Sequence, residues 1–240
     1  MTMHRVAVIG AGGRMGAITC AAFEAEEDLD LVARVGRGDP LEAVTEAGAE
    51  VAVEFTTPAS VKVNAEWLLT HGVHAVVGAT GLGEGDLADL EARTGPANCL
   101  VAPNFAIGAV LLMRLAAEVA RHLPHVEITE LHHDRKVDAP SGTALRTARQ
   151  VAAARAEAVA VPGPADTPAR GLVVEGVPVH SVRLPGLVAS QEVVFGGPGQ
   201  TLTLRHDSID RTSFMPGVLL AVRRIAEFPG LTVGLEALLK

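Results

Sequence analysis

The clearest pattern along the chain is a series of short, largely apolar runs, each closed by small or glycine-rich residues and most followed by a longer helix-patterned segment. Residues 6–9, 29–35, 51–55, 73–77 and 99–102 are such runs. The unbroken run 6–9 fits a strand buried on both faces, and the others read as strands as well. Residues 17–26, 59–71, 84–94 and 106–122 have helical patterning. Strand and helix therefore alternate, which predicts a parallel, doubly wound α/β sheet. After residue 122 the pattern changes. A strand is expected over 126–131, and an amphipathic helix from 141 to about 160. Residues 161–171 are rich in proline and glycine, which predicts a mobile loop. Three strands joined by turns follow at 177–184, 189–195 and 201–206. They predict a second, α+β domain with a mixed or antiparallel sheet. Residues 210–216 are polar, 217–227 read as a helix, and 231–239 are expected to pack back on the first domain. The expected division is 1–105 with 215–240, and 106–214. No internal repeat is seen.

The first apolar run ends in Gly10-Ala11-Gly12-Gly13-Arg14-Met15-Gly16. Strand, glycine turn and helix in that order form the dinucleotide-binding fingerprint of a Rossmann-type domain. Gly10 permits the tight turn, Gly12 or Gly13 lets a pyrophosphate approach the backbone, and Gly16 lets the helix pack on the strand. The other strand ends are small and polar: Phe55-Thr56-Thr57, Gly78-Ala79-Thr80 and Ala102-Pro103-Asn104-Phe105. Ligands of doubly wound sheets bind beyond these carboxyl ends. Any one end can be an ordinary turn; together they suit a cofactor cleft. The second strand normally ends in a carboxylate that binds the adenosine ribose. Here Gly36 stands there, between Arg34 and Arg37, with Asp39 just beyond. An arginine suits a 2′-phosphate. NADPH is therefore expected to serve at least as well as NADH, with Arg37 a cofactor residue. Asp39 keeps NADH possible.

Composition narrows the class. Hydrophobic residues make up 48% of 240, enough for a sizeable core, but there are only 6 Phe, 1 Trp and no Tyr, so Val, Leu, Ala and Ile must fill it. A formal charge of −8 argues against non-specific nucleic-acid binding. Cys20 and Cys99 lie far apart without metal spacing and read as buried thiols of a reducing compartment. No signal-peptide pattern is seen, and no apolar run approaches the roughly 18 residues of a membrane helix. A cytoplasmic protein without membrane or nucleic-acid partners is expected.

The densest chemistry lies in ELHHDRKVDAPSGTA, residues 130–144. It holds His132, His133 and Lys136 just ahead of Ser141-Gly142-Thr143, where a helix is expected to begin. A helix start favours anions through its unsatisfied N–H groups and dipole. The stretch thus predicts a site for an acidic substrate beside groups able to move protons. A zinc site finds no further Cys or His at ligand spacing, so no metal is expected. A purely structural histidine pair stays open. Asp138 is expected to position the loop.

These motifs resemble those of the bacterial dihydrodipicolinate reductases (4-hydroxy-tetrahydrodipicolinate reductases) of lysine and diaminopimelate synthesis. The resemblance covers nearly the whole chain. It is carried by VAVIGAGGRMG, VEFTTP, VVGATG, APNFAIG and ELHHDRKVDAPSGTA, and by RHDSIDRTSF with Pro216-Gly217 after it. It implies NAD(P)H-dependent reduction of 4-hydroxy-tetrahydrodipicolinate to tetrahydrodipicolinate, and a substrate domain whose sheet builds a homotetramer. By resemblance, His132 is the proton donor, Lys136 a second donor, His133 a substrate ligand, and Gly142 and Thr143 the substrate-carboxylate site. Gly10, Ala11, Gly12, Gly13, Arg14 and Met15, then Gly78, Ala79 and Thr80, then Ala102, Pro103, Asn104 and Phe105 correspond to cofactor contacts. The chain departs from the family pattern twice. Gly36 replaces a frequent acidic residue, and Gly78-Ala79-Thr80 has lost one hydroxyl of the usual Gly-Thr-Thr. From the residues, imidazole is the side chain that changes charge near cellular pH, and Lys136 can lend either charge or a proton. His133 and Lys136 are both read as able to hold charge beside a carboxylate. Because cofactor and substrate motifs fall on different domains, closure about hinges near Phe105-Ala106 and Phe214-Pro216 is expected. A non-catalytic NAD(P)H sensor and a dehydrogenase of another amino-dicarboxylate are the alternatives.

Overall fold

Strands that bury both faces need no polar alternation, and most of the early apolar runs become strands of that kind. In the computed structural model, which describes residues 3–157 and 167–239, the five runs join a sixth strand from the end of the chain in one parallel sheet. They are β1 (His4–Ile9), β2 (Leu29–Val35), β3 (Val51–Glu54), β4 (His74–Val77), β5 (Cys99–Val101) and β11 (Leu231–Val233). Their order is β11-β5-β4-β3-β1-β2. Every pairing is parallel. The chain leaves β1 to one side for β2 and returns on the other side for β3. The strand order therefore switches between β1 and β3, the place where such sheets bind ligands. All residues of β3 and β5, and Val6 to Ile9 of β1, are buried. The core is Val, Ala, Leu and Ile, as the scarcity of aromatics required.

The helices of this sheet are α1 (Arg14–Glu24), the short α2 (Glu42–Glu46), α3 (Val61–Thr70), α4 (Glu84–Glu91) and α7 (Met215–Arg224). Helix α1 starts three residues before the apolar pattern does, because the end of the glycine loop is already its first turn, with Gly13 extended as N-cap. The final segment does more than pack. Leu231 to Val233 pair with Cys99 to Val101 and add β11 to the sheet edge.

The second sheet is mixed, in the order β10-β9-β6-β8-β7. Its strands are β6 (His125–His132), β7 (Leu172–Val174), β8 (Val177–Arg183), β9 (Ala189–Gly197) and β10 (Gln200–Ser208). Only β6 and β8 run parallel; the other pairs are antiparallel. Helices α5 (Ile107–Ala120) and α6 (Gly142–Ala154) pack together and cover one face. Leu112, Ala116, Ala148 and Val151 meet Ile128, Val179, Val193 and Phe195 there. Helix α6 stops at Ala154, earlier than its pattern suggested, as Arg155 turns extended. Most of the expected loop over 161–171 lies outside the described residues. Cα proximity divides the chain into two compact units: residues up to Phe105 with those from Phe214 onward, and Ala106–Ser213.

Candidate functional site

In the first unit the glycine loop has the geometry its sequence requires. Gly10 has φ +85°, and a Cβ there would stand 2.5 Å from the Phe55 carbonyl oxygen. A Cβ on Gly16 would be driven into the Gly10 carbonyl. Substituting either would break the close approach of β1, β3 and α1. The loop also fixes which amides a ligand can use. Gly10 and Ala11 donate to the Val35 carbonyl at 2.8 and 3.1 Å, and Gly13 donates to the Gly10 carbonyl at 2.9 Å. These three expected contacts have committed their N–H groups to the turn. A pyrophosphate would find its donors in the first turn of α1, from Arg14 and Met15 on. It would approach over Gly12, where a Cβ would meet nothing within 4 Å. The residues present fit a dinucleotide.

The neighbouring strand ends are built around two rings. Phe55 and Phe105 pack edge to face with centroids 6.0 Å apart. Any Cβ on Gly78 would strike both. Gly78 and Ala79 donate to the Glu54 carbonyl at 3.0 and 3.3 Å. Ala102 and Phe105 are buried, Asn104 is half-buried, and Thr80 and Pro103 are exposed. Phe105 thus serves as a packing wedge that shapes the loop at Gly78. At the end of β2, Arg34 is paired with Glu24 on α1, which leaves Arg37, exposed, as the cation beyond the strand. Asp39 turns back so that its Oδ2 accepts from the Gly36 N–H at 2.8 Å. A carboxylate therefore stands beside Gly36 after all, supplied from three residues downstream.

In the second unit the chemistry gathers where β6 and β8 end and α6 begins. Alternation along β6 puts Glu130 and His132 on the same face. Glu130 is 0% exposed. Its Oε2 lies 2.5 Å from His132 Nδ1. Arg183, opposite His132 on β8, donates to both Glu130 oxygens, at 2.9 and 2.8 Å. The same guanidinium reaches the Asp138 carbonyl at 2.6 Å. Glu130 Oε1 also accepts from the Ser141 N–H at 3.2 Å. One buried carboxylate thus joins the strand end, the loop after it and the start of α6. Burial alone would raise the Glu130 carboxyl; the hydrogen bonds from His132 and Arg183 overcome this and hold it at about 2.

Ser141 caps α6 by accepting from the Ala144 N–H at 3.2 Å. A Cβ on Gly142 would meet nothing within 4 Å, so the first turn is open to a ligand. Lys136 Nζ is 2.8 Å from Asp138 Oδ1, an ion pair within the loop. His133 lies among positive charges. Burial first, then the positive charges of Arg211, His132 and Arg135, push its imidazole down. That shift favours its neutral form, and its buried Nδ1 has no partner among the described residues. Among the described residues no cluster of His, Cys, Asp or Glu is arranged for a metal.

Comparison with known proteins bears on both units. The family described as "Dihydrodipicolinate reductase, N-terminus" matches residues 4–105, and "Dihydrodipicolinate reductase, C-terminus" matches residues 108–239. The chain belongs to the dihydrodipicolinate reductase family. It is 55% identical over 244 residues to a 4-hydroxy-tetrahydrodipicolinate reductase of Streptomyces griseus, covering 98% of each chain. It is 55% identical over 243 residues to one of Nocardia farcinica, again covering 98% of each. A solved structure, the dipicolinate-bound dihydrodipicolinate reductase of Paenisporosarcina sp. TG-14, superposes with a TM-score of 0.87 at 37% identity, over 98% of this chain and 99% of that one. At 13% identity and a TM-score of 0.66, an amine dehydrogenase of Mycobacterium smegmatis shares the fold.

Two residues of the His132 cluster had no role in the sequence reading. Glu130 carried a signal, since Glu-x-His on a strand puts both side chains on one face. Arg183 carried none, because only the parallel pairing of β6 with β8 brings it there.

Proposed function

We propose that this chain reduces the ring of 4-hydroxy-tetrahydrodipicolinate with NADPH or NADH, His132 delivering the proton. The observation that carries this reading is the gathering of His132, Lys136 and the open start of α6 at one end of β6. Reducing a conjugated imine in a cyclic dicarboxylate needs a hydride, anchors for two carboxylates and a proton where charge develops. The nicotinamide supplies the hydride when bound. The first turn of α6, with Gly142 and Thr143, anchors one carboxylate. Lys136 meets the substrate's charge, exchanging Asp138 for it, and His133 donates or accepts a hydrogen bond as a neutral ring. Glu130 occupies Nδ1 of His132, so Nε2 is the nitrogen that serves the substrate. The first turn of α1, the Gly78-Ala79-Thr80 loop and Ala102 to Phe105 hold the dinucleotide. A purely binding role would leave the assembled donors without a task.

For the cofactor we favour NADPH used at least as well as NADH, with Arg37 receiving the 2′-phosphate and Asp39 the ribose hydroxyls. A homotetramer through the mixed sheet fits the face opposite α5 and α6. No α-helix of the unit covers that face among the described residues, and it carries Glu127, Thr129, Glu192, Val194, Thr203 and Arg205. No helix among the described residues is long and apolar enough to cross a membrane, and we take the setting to be cytoplasmic. The test is consumption of reduced nicotinamide by the purified protein, supplied with product freshly made by dihydrodipicolinate synthase. Oxidation of both cofactors is expected, and His132→Gln should lower kcat about 10²- to 10⁴-fold while cofactor affinity stays within twofold or so. Cofactor binding without turnover of that substrate would overturn the reading.

A further inference from the structure

We infer that the Glu130–Arg183 pair positions the proton donor and the substrate-carboxylate anchor together, by fixing His132 as the Nδ1–H tautomer and tying the start of α6 to the same carboxylate. This rests on the reading of His132 as donor. Glu130 has no exposed surface, and besides the Ser181 hydroxyl of the paired strand β8 its carboxylate meets the proton donor, the start of α6 and a guanidinium. Oε2 takes His132 Nδ1 and Oε1 takes the Ser141 N–H, while Arg183 grips both oxygens.

The bidentate guanidinium decides the ionisation. A carboxylate so paired stays an acceptor, so the hydrogen on the short contact belongs to His132 Nδ1. The charged ring then carries its second proton on Nε2. When that proton moves to the substrate, the ring left behind is neutral and still donates from Nδ1 to Glu130. Nε2 is reprotonated from water for the next turnover. Without the carboxylate, the neutral ring is free to rotate and to change tautomer, and the donating nitrogen loses its fixed place. Arg183 also holds the Asp138 carbonyl, so the segment between His132 and Ser141 is tied at both ends to one ion pair. Glu130 and Arg183 are positioning residues. Neither has to touch the substrate.

The inference makes a prediction for the unaltered protein. Nitrogen-15 spectra of the histidine side chains, with His132 assigned by its absence in His132→Gln, should show the neutral His132 ring mainly as the Nδ1–H tautomer. A ring found mainly as Nε2–H would overturn the proposal even if His132 is the donor. Glu130→Gln keeps the shape and an oxygen for Ser141 while turning an amide N–H toward the ring. It should move the tautomer toward Nε2–H and lower kcat about 10- to 100-fold, with KM for the dicarboxylate changing only a few-fold. Equal losses in kcat and KM with an unchanged tautomer would mark a merely structural role and refute the inference. A full kcat in His132→Gln would instead remove the donor reading and leave the tautomer result to stand on its own.

Discussion

Glu54 and Glu130 each lie on an inner strand, one in each unit, and both are 0% exposed, yet their surroundings pull them apart. Glu54 on β3 is met by neutral donors: the Thr56 hydroxyl and N–H, and the Asn64 amide at 3.1 Å, all on Oε1. Its Oε2 has no partner among the described residues. Burial therefore wins, and its carboxyl is raised above the ordinary value. Glu130 is buried as well, but a guanidinium and an imidazole face it, and its carboxyl falls to about 2. Burial alone does not set the state of a carboxyl; the charge of its donors does. The first glutamate is a hydrogen-bonding junction beneath the turns of the nucleotide unit. The second is a fixed negative charge between His132, Arg183 and the start of α6.

The largest effect expected from this contrast comes from removing the cation. Arg183→Met should leave Glu130 as an unpaired buried charge and destabilise the protein by about 3–5 kcal/mol. Adding Glu130→Gln to that variant should restore most of the loss, because the uncompensated charge is then gone. Glu54→Gln, which removes no ion pair, should cost about 1 kcal/mol or less. Urea unfolding of the four proteins measures this. An Arg183→Met loss no larger than that of Glu54→Gln would break the comparison.

Opposite shifts should also give opposite dependences on pH, a smaller effect. Glu130 is lowered, so its stabilising share is present above the ordinary carboxyl value of 4.5 and is lost as pH falls from there toward about 2. Glu54 is raised, so its share is complete below 4.5 and is lost as pH rises through its folded value. Glu130→Gln should flatten the acid side of the urea-midpoint profile, and Glu54→Gln the alkaline side. Flattening on the same side by both variants would show that their donors do not distinguish them.

How far all this could be read from the chain depends on the range of the interaction. The doubly wound sheet was legible because continuous apolar runs and the glycines at 10, 12, 13 and 16 are local signals, and the loop geometry answers to them. The same loop hid its detail. Only the folded turn shows that Gly10, Ala11 and Gly13 spend their amides on it. Strand β11 was missed because three residues of Leu, Thr and Val carry too little pattern, and its partner β5 lies some 130 residues earlier. His132 and Lys136 announced themselves by type. Glu130, two residues from His132, went without a role because a carboxylate's task depends on its cation. That cation, Arg183, lies 53 residues away and arrives only through strand register.

Asp39 supplies a third carboxylate, this time exposed, and with it the smallest expected effect. Its Oδ2 accepts from the Gly36 N–H and the residue is exposed, so water rather than a buried cation or burial surrounds most of it. Contacts of such groups are worth only about 0.2–1 kcal/mol, and substitutions here should change affinities a few-fold. Arg37→Ala should weaken NADPH more than NADH, since the 2′-phosphate is what a guanidinium recognises. Asp39→Ala should weaken NADH more, since the ribose hydroxyls then lose their acceptor. Comparing kcat/KM for both cofactors in the two variants tests the crossing. If both variants weakened the two cofactors equally, the end of β2 would not be reading the ribose, and the choice of nucleotide would have to be made elsewhere along the cleft-forming strand ends of the first unit.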